Sequence, residues 1–201
     1  MSPLIREFYD RPAEEVAREL LGCHLVRNLQ GRRLVGVICE TEAYQGEEDL
    51  GCHAHVGKTP RNAVMYGSPG LAYIYCTYGM HWLLNAVTGP ENEAAAVLIR
   101  AIYPLEGLDQ MALNRPNLAY QKDWLNGPAK ICQALGLDGS LNGIDLCEPS
   151  GALIIDQGES IPQMDIKTSA RIGLFTVPEP WKSIPWRFLV DQSALGALKW
   201  N

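Results

Sequence analysis

Hydrophobic residues recur at helical spacing in one early segment and at strand spacing in most of the segments that follow. The early segment, residues 12–21, has proline at its first position and stops at Gly22, which is typical of a helix. We predict strands at residues 24–28, 33–42, 71–77, 81–87 and 94–99, and further helices that start at 59–62 and span 105–114 and 128–135. Because strands and helices do not alternate strictly, the pattern indicates an α+β domain on an antiparallel or mixed sheet.

Two of these strand pairs are predicted to be hairpins. A Gln30-Gly31 turn joins the first pair, and Tyr78-Gly79-Met80 joins the strands at 71–77 and 81–87. Tyr78 then lies at a hairpin tip, where little protein is available to cover it. An exposed aromatic residue there is either an anchor for a partner or a wedge between stacked bases.

Length and composition fit one self-sufficient soluble domain. The chain has 201 residues, of which 47% are apolar and 20% charged. No stretch approaches about 20 uninterrupted apolar residues, and the N-terminus carries Arg6 and Asp10 instead of an apolar signal core. We therefore expect no membrane segment and a cytoplasmic protein, with a nuclear location left open.

Charge is distributed unevenly along the chain. The net charge of −6 argues against a general nucleic-acid coat protein. Residues 51–90, however, contain no carboxylate but include Lys58 and Arg61, whereas residues 40–49 hold five carboxylates. A locally positive surface is compatible with an acidic total, because salt screens charges beyond about 8 Å.

The six cysteines show no C-x-x-C pair, so we interpret them as reduced residues of an intracellular protein. One cysteine opens the sequence Cys52-His53-Ala54-His55, which has the residue types of a metal site. A zinc site usually needs a second ligand pair at regular spacing, and the chain has only His24 and His81 besides these histidines. We expect no metal and no other cofactor.

The strongest candidate for chemistry is the segment that contains Glu40, Glu42 and Tyr44. In an extended chain these side chains share one face about 7 Å apart, so repulsion and burial raise a carboxyl pKa towards that of a general base. Arg100 ends an apolar run and needs a carboxylate or an anion as its partner. The alternatives are a solvated strand end and a purely structural ion pair.

Aromatic and amide residues lie close to this segment in the predicted sheet. The aromatic set comprises Tyr66, Tyr73, Tyr75, Tyr78 and Trp82. A pocket lined by tyrosines suits a planar ligand, because stacking on one aromatic face stabilises a base by about 1 to 3 kcal/mol. Asn85, in an apolar strand, must bond either to the backbone or to a ligand edge. Lys130, in the first turn of the helix after Gly127, favours an anion such as phosphate.

The same segments resemble the alkyladenine (3-methyladenine) DNA glycosylase family. The resemblance extends from Glu7 to Phe188 and is densest at residues 40–44, 59–62, 75–80, 104–107 and 127–135. It implies a single DNA glycosylase domain over residues 1–201, with a mixed, largely antiparallel curved sheet, flanking helices and a protruding β-hairpin. It also implies that the protein acts as a monomer on double-stranded DNA that contains damaged purines.

Roles follow from the resemblance position by position. It implies that Glu42 activates a water, with Arg100 placing that water, and that Tyr44, His53 and Tyr75 line the slot for a flipped base. Tyr78 would enter the minor groove, and Arg61 and Lys130 would contact DNA. Asn85 would select against normal guanine. Ile172 stands where the family usually has valine and uses main-chain groups near the water.

The implied reaction is hydrolysis of the N-glycosidic bond of an alkylated or deaminated purine. Flipping the base costs a few kcal/mol, and damage lowers that cost. No lysine acts as a nucleophile in this scheme, so the expected product is an abasic site in an uncut strand. Which lesion is preferred stays open.

Three other functions use the same residues. A metal-dependent hydrolase would employ His53 and His55 with Glu47, Glu48 or Asp49, and would lose activity in chelator. A nucleoside hydrolase would use the carboxylate and the slot without DNA. A non-catalytic binding module would keep its DNA affinity without Glu42.

Overall fold

The computed structural model describes residues 2–116 and 125–190. Within these ranges the helices are α1 Arg6–Tyr9, α2 Ala13–Glu19, α3 Leu108–Asn114 and α4 Pro128–Leu135. The strands are β1 His24–Leu29, β2 Arg32–Gln45, β3 Ala72–Thr77, β4 His81–Val87, β5 Ala95–Glu106, β6 Leu153–Asp156, β7 Ile166–Ser169 and β8 Arg187–Val190. None of the described helices has the length and apolar character needed to cross a membrane.

The eight described strands form one antiparallel sheet, six of them in the order β3-β4-β5-β2-β1-β6. The other two extend it from β2, because β8 pairs with β2 and β7 pairs with β8. The long strand β2 changes partner along its length: Arg32–Val37 pairs with β1, and Glu40–Glu42 pairs with β8. Register shifts against β5 mark a bulge around Glu40. Because a bulge bends a strand and increases its twist, the sheet curls at this point. The predicted α+β class and largely antiparallel sheet are confirmed.

The period of two along each strand divides the sheet into two faces with different surroundings. One face carries the main core, to which Ile74, Leu84 and Val97 contribute and against which α2 and α4 pack. The other face carries Tyr73 and the small residue Ala96 of a second buried cluster. This second face is where the polar and aromatic candidates come together.

Most of the predicted elements are present, with shifted ends. The hairpins β1–β2 and β3–β4 are confirmed, as are α2 and α4. The helix predicted over 105–114 starts instead at Leu108, because Leu105 extends β5 and Gly107 turns the chain with φ 77°.

The helix predicted to start at 59–62 is wrong, because those residues form a turn and a 3-10 helix follows at Ala63–Tyr66. The buried amide of Asn62 explains the turn: it accepts a hydrogen bond from the Thr59 N–H and donates to the carbonyls of His53 and Gly57. Side chains that bond to nearby backbone compete with helix formation.

All six cysteines are free. Cys23, Cys52 and Cys132 are buried, and the other three are partly buried. Burial raises the pKa of the Cys52 thiol to about 12, so this thiol stays protonated at neutral pH.

Candidate active site

Glu42 lies in β2 between β5 and β8, opposite Leu98 and Arg187. Its side chain has no accessible surface. The strand alternation places Glu40, Glu42 and Tyr44 on the same face, as the sequence predicts.

Three donors hold the Glu42 carboxylate. The Tyr44 hydroxyl donates to Oε2 at 2.8 Å, and the Ile172 backbone N–H donates to Oε1 at 2.7 Å. The Arg100 guanidinium donates to Oε2 at 3.3 Å. A carboxylate has about four acceptor positions, so one position on Oε1 is left for a further donor such as a water.

Burial raises the pKa of Glu42 above its ordinary value. Arg100, the Ile172 N–H and the Tyr44 hydroxyl act in the opposite direction, and Glu40 adds a small further rise. Burial thus outweighs the attraction of the three donors. A carboxyl group with a raised pKa, held by a cation, has the properties required of a general base.

The raised pKa predicts how Glu42 affects stability. An unfolded chain ionises this group near its ordinary pKa, while the folded chain holds the proton to higher pH, so stability falls as pH rises through the folded pKa. Glu42→Gln removes this loss. We expect thermal unfolding to show a melting temperature for Glu42→Gln at neutral pH that is no lower than that of the wild type. A melting temperature several degrees lower would contradict the desolvation of Glu42.

A network of two guanidinium groups supports the neighbouring carboxylate. Arg100 Nε donates to Glu40 Oε1 at 2.9 Å, and Arg187 Nε donates to the same oxygen at 2.6 Å. Glu40 thereby keeps Arg100 extended across the sheet and within reach of Glu42. The hypothesis that Arg100 pairs with these carboxylates is confirmed.

A pocket of about 190 Å³ opens directly beside this network. It is lined by Tyr44, Gly51, Cys52, His53, Met65, Tyr73, Tyr75, Leu83, Asn85, Ala96, Leu98, Arg100, Ile172 and Leu174. All three donors to Glu42 thus line the pocket, whereas Glu42 lies behind them. The volume is below the roughly 300 Å³ at which pockets for drug-sized ligands begin, which suits one small planar group.

One wall of the pocket is aromatic. The rings of His53 and Tyr75 meet edge to face at 4.4 Å between centroids, and the rings of Tyr73 and Tyr75 lie 5.3 Å apart. His53 follows the buried Cys52 in the 3-10 helix His53–Val56, and its Nδ1 lies 3.0 Å from the Tyr73 hydroxyl. The structure therefore brings the predicted slot residues together.

The ionisation states of this wall suit a ligand that carries positive charge. Burial, with a smaller contribution from Arg61, lowers the pKa of His53 to about 4, so its ring is neutral at pH 7. Burial raises the pKa of Tyr75 to about 12. A neutral aromatic wall attracts a cationic ring without the repulsion that a charged histidine would add.

Asn85 lies in β4 opposite Tyr73 and is buried. Its amide donates to the Tyr73 carbonyl at 3.0 Å, which fixes the side chain in the pocket wall. The polar residue in the apolar strand is therefore bonded to backbone and also lines the pocket.

The β3–β4 hairpin carries Tyr78 at its tip, 88% exposed. Tyr78 and Gly79 have φ values of 52° and 68°, as a type I′ turn requires, and the Met80 N–H bonds to the Thr77 carbonyl. A bulky residue at positive φ is strained, and such strain is concentrated at functional positions. The neighbouring Met80 is also exposed.

Of the two basic residues predicted to contact DNA, one lies beside the pocket and the other lies on the opposite face of the sheet. Arg61 stacks over the Tyr75 ring at 5.2 Å and donates to the Cys76 carbonyl, so it lies between the pocket and the hairpin. Lys130 belongs to α4, which packs on the opposite face of β4 and β5, and its ammonium group bonds to Asn126. The structure does not bring Lys130 to the pocket.

His55, Glu47 and Asp49, which were considered for a metal site, are bonded to other protein groups. His55 Nδ1 lies 2.6 Å from the Cys52 carbonyl, and the Tyr66 hydroxyl donates to Glu47. Asp49 is bound by Arg171. Among residues 2–116 and 125–190, no three potential ligands form a metal cluster.

Sequence reasoning missed the pair of Asp49 and Arg171, because it names Asp49 only as an alternative metal ligand and gives Arg171 no role. Their side chains are fully buried and meet through two hydrogen bonds of 2.5 and 2.8 Å. The available signal was a lone arginine directly before Ile172, combined with an acidic residue seven positions after Glu42. Leu174, which lines the pocket, was also missed.

Comparison with known proteins gives one consistent result. The family profile for methylpurine-DNA glycosylase matches residues 7–194. A protein of Desulfitobacterium hafniense, named "Putative 3-methyladenine DNA glycosylase", is 44% identical over 99% of this chain and 100% of its own length. Proteins of the same name from Carboxydothermus hydrogenoformans and Methanocella arvoryzae are each 46% identical over 94% of this chain, and over 96% and 92% of their own lengths.

Proposed function

Because the chain belongs to the methylpurine-DNA glycosylase family, we propose that it hydrolyses the N-glycosidic bond of damaged purines in double-stranded DNA. The observation that carries this proposal is a buried carboxylate, Glu42, held behind an aromatic pocket by three donors that line it. The protein acts as a monomer, as one domain over residues 1–201.

The reaction uses Glu42 as the base that activates water. One acceptor position on Oε1 is available for that water, and Arg100, which lines the pocket and donates to Oε2, places it. The bond between C1′ and the base nitrogen breaks with an oxocarbenium-like sugar, which the ionised carboxylate stabilises. Water then bonds to C1′, and its proton passes to Glu42.

The aromatic wall binds the flipped base. Flipping costs a few kcal/mol, and stacking recovers about 1 to 3 kcal/mol per aromatic face. Tyr44, His53 and Tyr75 supply these faces, and all three line the pocket. Because His53 is neutral, a cationic base such as 3-methyladenine is bound without repulsion. Asn85, fixed by its bond to Tyr73, projects where the amino group of a normal guanine would clash.

The enzyme is monofunctional. Among the described residues that line the pocket none is a lysine, so water is the nucleophile and the product is an abasic site in an intact strand. Arg61, which lies between the pocket and the hairpin, contacts the DNA.

Single-turnover base release tests the proposal. Duplexes containing hypoxanthine or 3-methyladenine are incubated with excess enzyme in chelator, and an undamaged duplex is the control. We expect free base and an alkali-sensitive but uncut strand from the damaged duplexes alone. Release of base from free nucleosides at equal rates, or loss of activity in chelator, would contradict the proposal.

Tyr78→Ala is expected to reduce base release from duplex DNA by about tenfold to a hundredfold, because the gap left by a flipped base is no longer filled. Tyr78→Phe, which keeps the ring, serves as the control and should retain most of the activity. The Tyr78 side chain is 88% exposed, so neither change should lower the melting temperature. An effect of equal size on a single-stranded substrate would contradict the wedge role.

A further inference from the structure

The ion pair between Arg171 and Asp49 is the most deeply buried charged contact among the described residues. Both side chains are fully buried, and the guanidinium bonds to both carboxylate oxygens, at 2.5 and 2.8 Å. Asp49 is itself held by the backbone N–H groups of Gln45 and Gly51. The carboxylate therefore has a fixed position between β2 and the segment that follows it.

Arg171 also contacts both sides of the site. Its guanidinium donates to the carbonyl of Ala43, which lies between Glu42 and Tyr44, and to the carbonyl of Trp181. It stacks 4.7 Å from the Tyr44 ring and 5.4 Å from the Trp186 ring. One side chain thus joins the segment around Ile172 to strand β2.

Two of the three donors to Glu42 depend on this arrangement. The Ile172 N–H belongs to the residue directly after Arg171, and Ile172 is otherwise 46% exposed. The Tyr44 hydroxyl belongs to the ring on which Arg171 stacks. The third donor, Arg100, is held separately by Glu40.

We propose that the Arg171–Asp49 ion pair is a positioning device for Glu42: it keeps the Ile172 N–H and the Tyr44 hydroxyl aimed at the carboxylate. The inference rests on the proposed role of Glu42 as base. A buried ion pair adds little net stability compared with apolar residues, whereas its bidentate geometry fixes orientation. Neither residue touches the reacting atoms.

The direction in which the pKa of Glu42 changes when the ion pair is disturbed follows from the groups around Glu42. These are Arg100 on β5, Glu40 and Tyr44 on β2, and Arg171 on the segment that covers the site. The Ile172 N–H and the Tyr44 hydroxyl both lower the pKa of Glu42. Loosening them raises that pKa further, so a larger fraction of the enzyme is protonated and inactive at low pH. Asp49→Asn also leaves the Arg171 cation unpaired, which acts in the opposite direction, whereas Arg171→Lys keeps both charges and changes only the geometry.

The test is the pH profile of single-turnover release from a hypoxanthine duplex with Asp49→Asn, which keeps the side-chain shape but removes its charge. We expect the rate relative to wild type to fall about tenfold on the acidic limb of the profile and to recover at alkaline pH, since a one-unit rise of the Glu42 pKa is a tenfold change in ionised fraction. The ratio of the variant rate to the wild-type rate is used because any titration of the substrate affects both rates equally. DNA affinity should stay unchanged.

Asp145→Asn is the matched control, because Asp145 pairs with Arg6 and neither residue lines the pocket. This variant should match the wild-type profile. Arg171→Lys, which keeps both charges and loses the bidentate contact, should show the same loss at low pH. A rate ratio for Arg171→Lys that is independent of pH would overturn the proposal.

Glu42→Gln distinguishes a failure of the proposed base role of Glu42 from a failure of the positioning role of the ion pair. If Glu42→Gln keeps wild-type release, the proposed base role fails and this inference fails with it. If Glu42→Gln is inactive while Arg171→Lys is normal, the positioning role alone is overturned. Hydrogen exchange at the Ile172 amide can be measured on the wild type, so it gives a result even if the variants do not fold. Slow exchange supports the proposal. Exchange at the rate of an unbonded amide overturns it.

Discussion

Glu42→Gln is expected to lower single-turnover base release by about 10³-fold, within the range that a general base contributes. The variant keeps the shape of the side chain and one oxygen that accepts from the Ile172 N–H. It loses the negative charge that is proposed to stabilise the developing cation at the sugar, and the basic site that is proposed to accept the proton of water. Binding to damaged duplex should persist, because the pocket wall is intact.

Glu40→Gln is the matched control for this experiment. Glu40 lies two positions earlier on the same strand face and bonds to Arg100 and Arg187, but it does not line the pocket. We expect a reduction of less than about tenfold, which reflects only a less firmly held Arg100. Equal losses in the two variants would show that the network matters as a whole and that Glu42 has no separate role.

The pH dependence gives a second check on the same residue. Since burial raises the pKa of Glu42, the acidic limb of the wild-type rate profile should lie above the ordinary pKa of a glutamate. The limb should be absent from the residual activity of Glu42→Gln. An acidic limb that persists unchanged in the variant would assign it to another group.

Strand periodicity was sufficient to predict the polar face of the site. Glu40, Glu42 and Tyr44 were placed on one face because side chains alternate along an extended chain, and the hydrogen bonds show that arrangement. The tip position of Tyr78 was predicted equally well, since glycine beside an aromatic between two β-rich segments indicates a hairpin turn. Both signals are local.

The parts that sequence could not supply depend on contacts between distant segments. β8 joins the sheet beside Glu40–Glu42, more than 140 residues later in the chain, and only its four residues mark it as a strand. The pair of Asp49 and Arg171 is 122 residues apart. Asp49 lies among four other carboxylates within ten residues, and nothing local shows that it is buried, as Glu42 is, while Glu47 and Glu48 are exposed.

Two short sequence patterns gave misleading indications, because contacts that the patterns do not show decide the structure there. Thr59 and Pro60 have the residue types of a helix start, but the Asn62 side chain bonds to three backbone groups and holds the chain in a turn. Lys130 at the start of α4 has the residue type of an anion site. Only the packing of α4 shows that this helix lies on the other face of the sheet from the pocket.

Arg100→Met is expected to impair both activity and stability. Base release should fall about 10²-fold or more, because the variant loses the donor to Glu42 Oε2 and the group proposed to place the water. The free energy of unfolding should fall by about 3 kcal/mol at neutral pH, the cost of leaving a buried carboxylate without its cation. Single-turnover kinetics and urea unfolding measure the two effects.

Arg187→Met is the control that distinguishes the effect on activity from the effect on stability. Arg187 donates to the same Glu40 oxygen as Arg100 but does not line the pocket, so its loss should lower stability while release stays within about threefold of wild type. The pH dependence distinguishes the variants further. Without Arg100 the pKa of Glu42 rises, so the stability deficit should shrink at acid pH, where Glu42 is protonated and no longer needs a cation.

A double-mutant cycle completes the argument about Arg100. In the Glu42→Gln background no buried negative charge remains at this position, so adding Arg100→Met should cost less stability than it does in the wild type. The difference measures the coupling between guanidinium and carboxylate across the 3.3 Å contact. Additive losses would mean that Arg100 supports the fold through Glu40 alone, and its place in the water-activating machinery would then have to be given up.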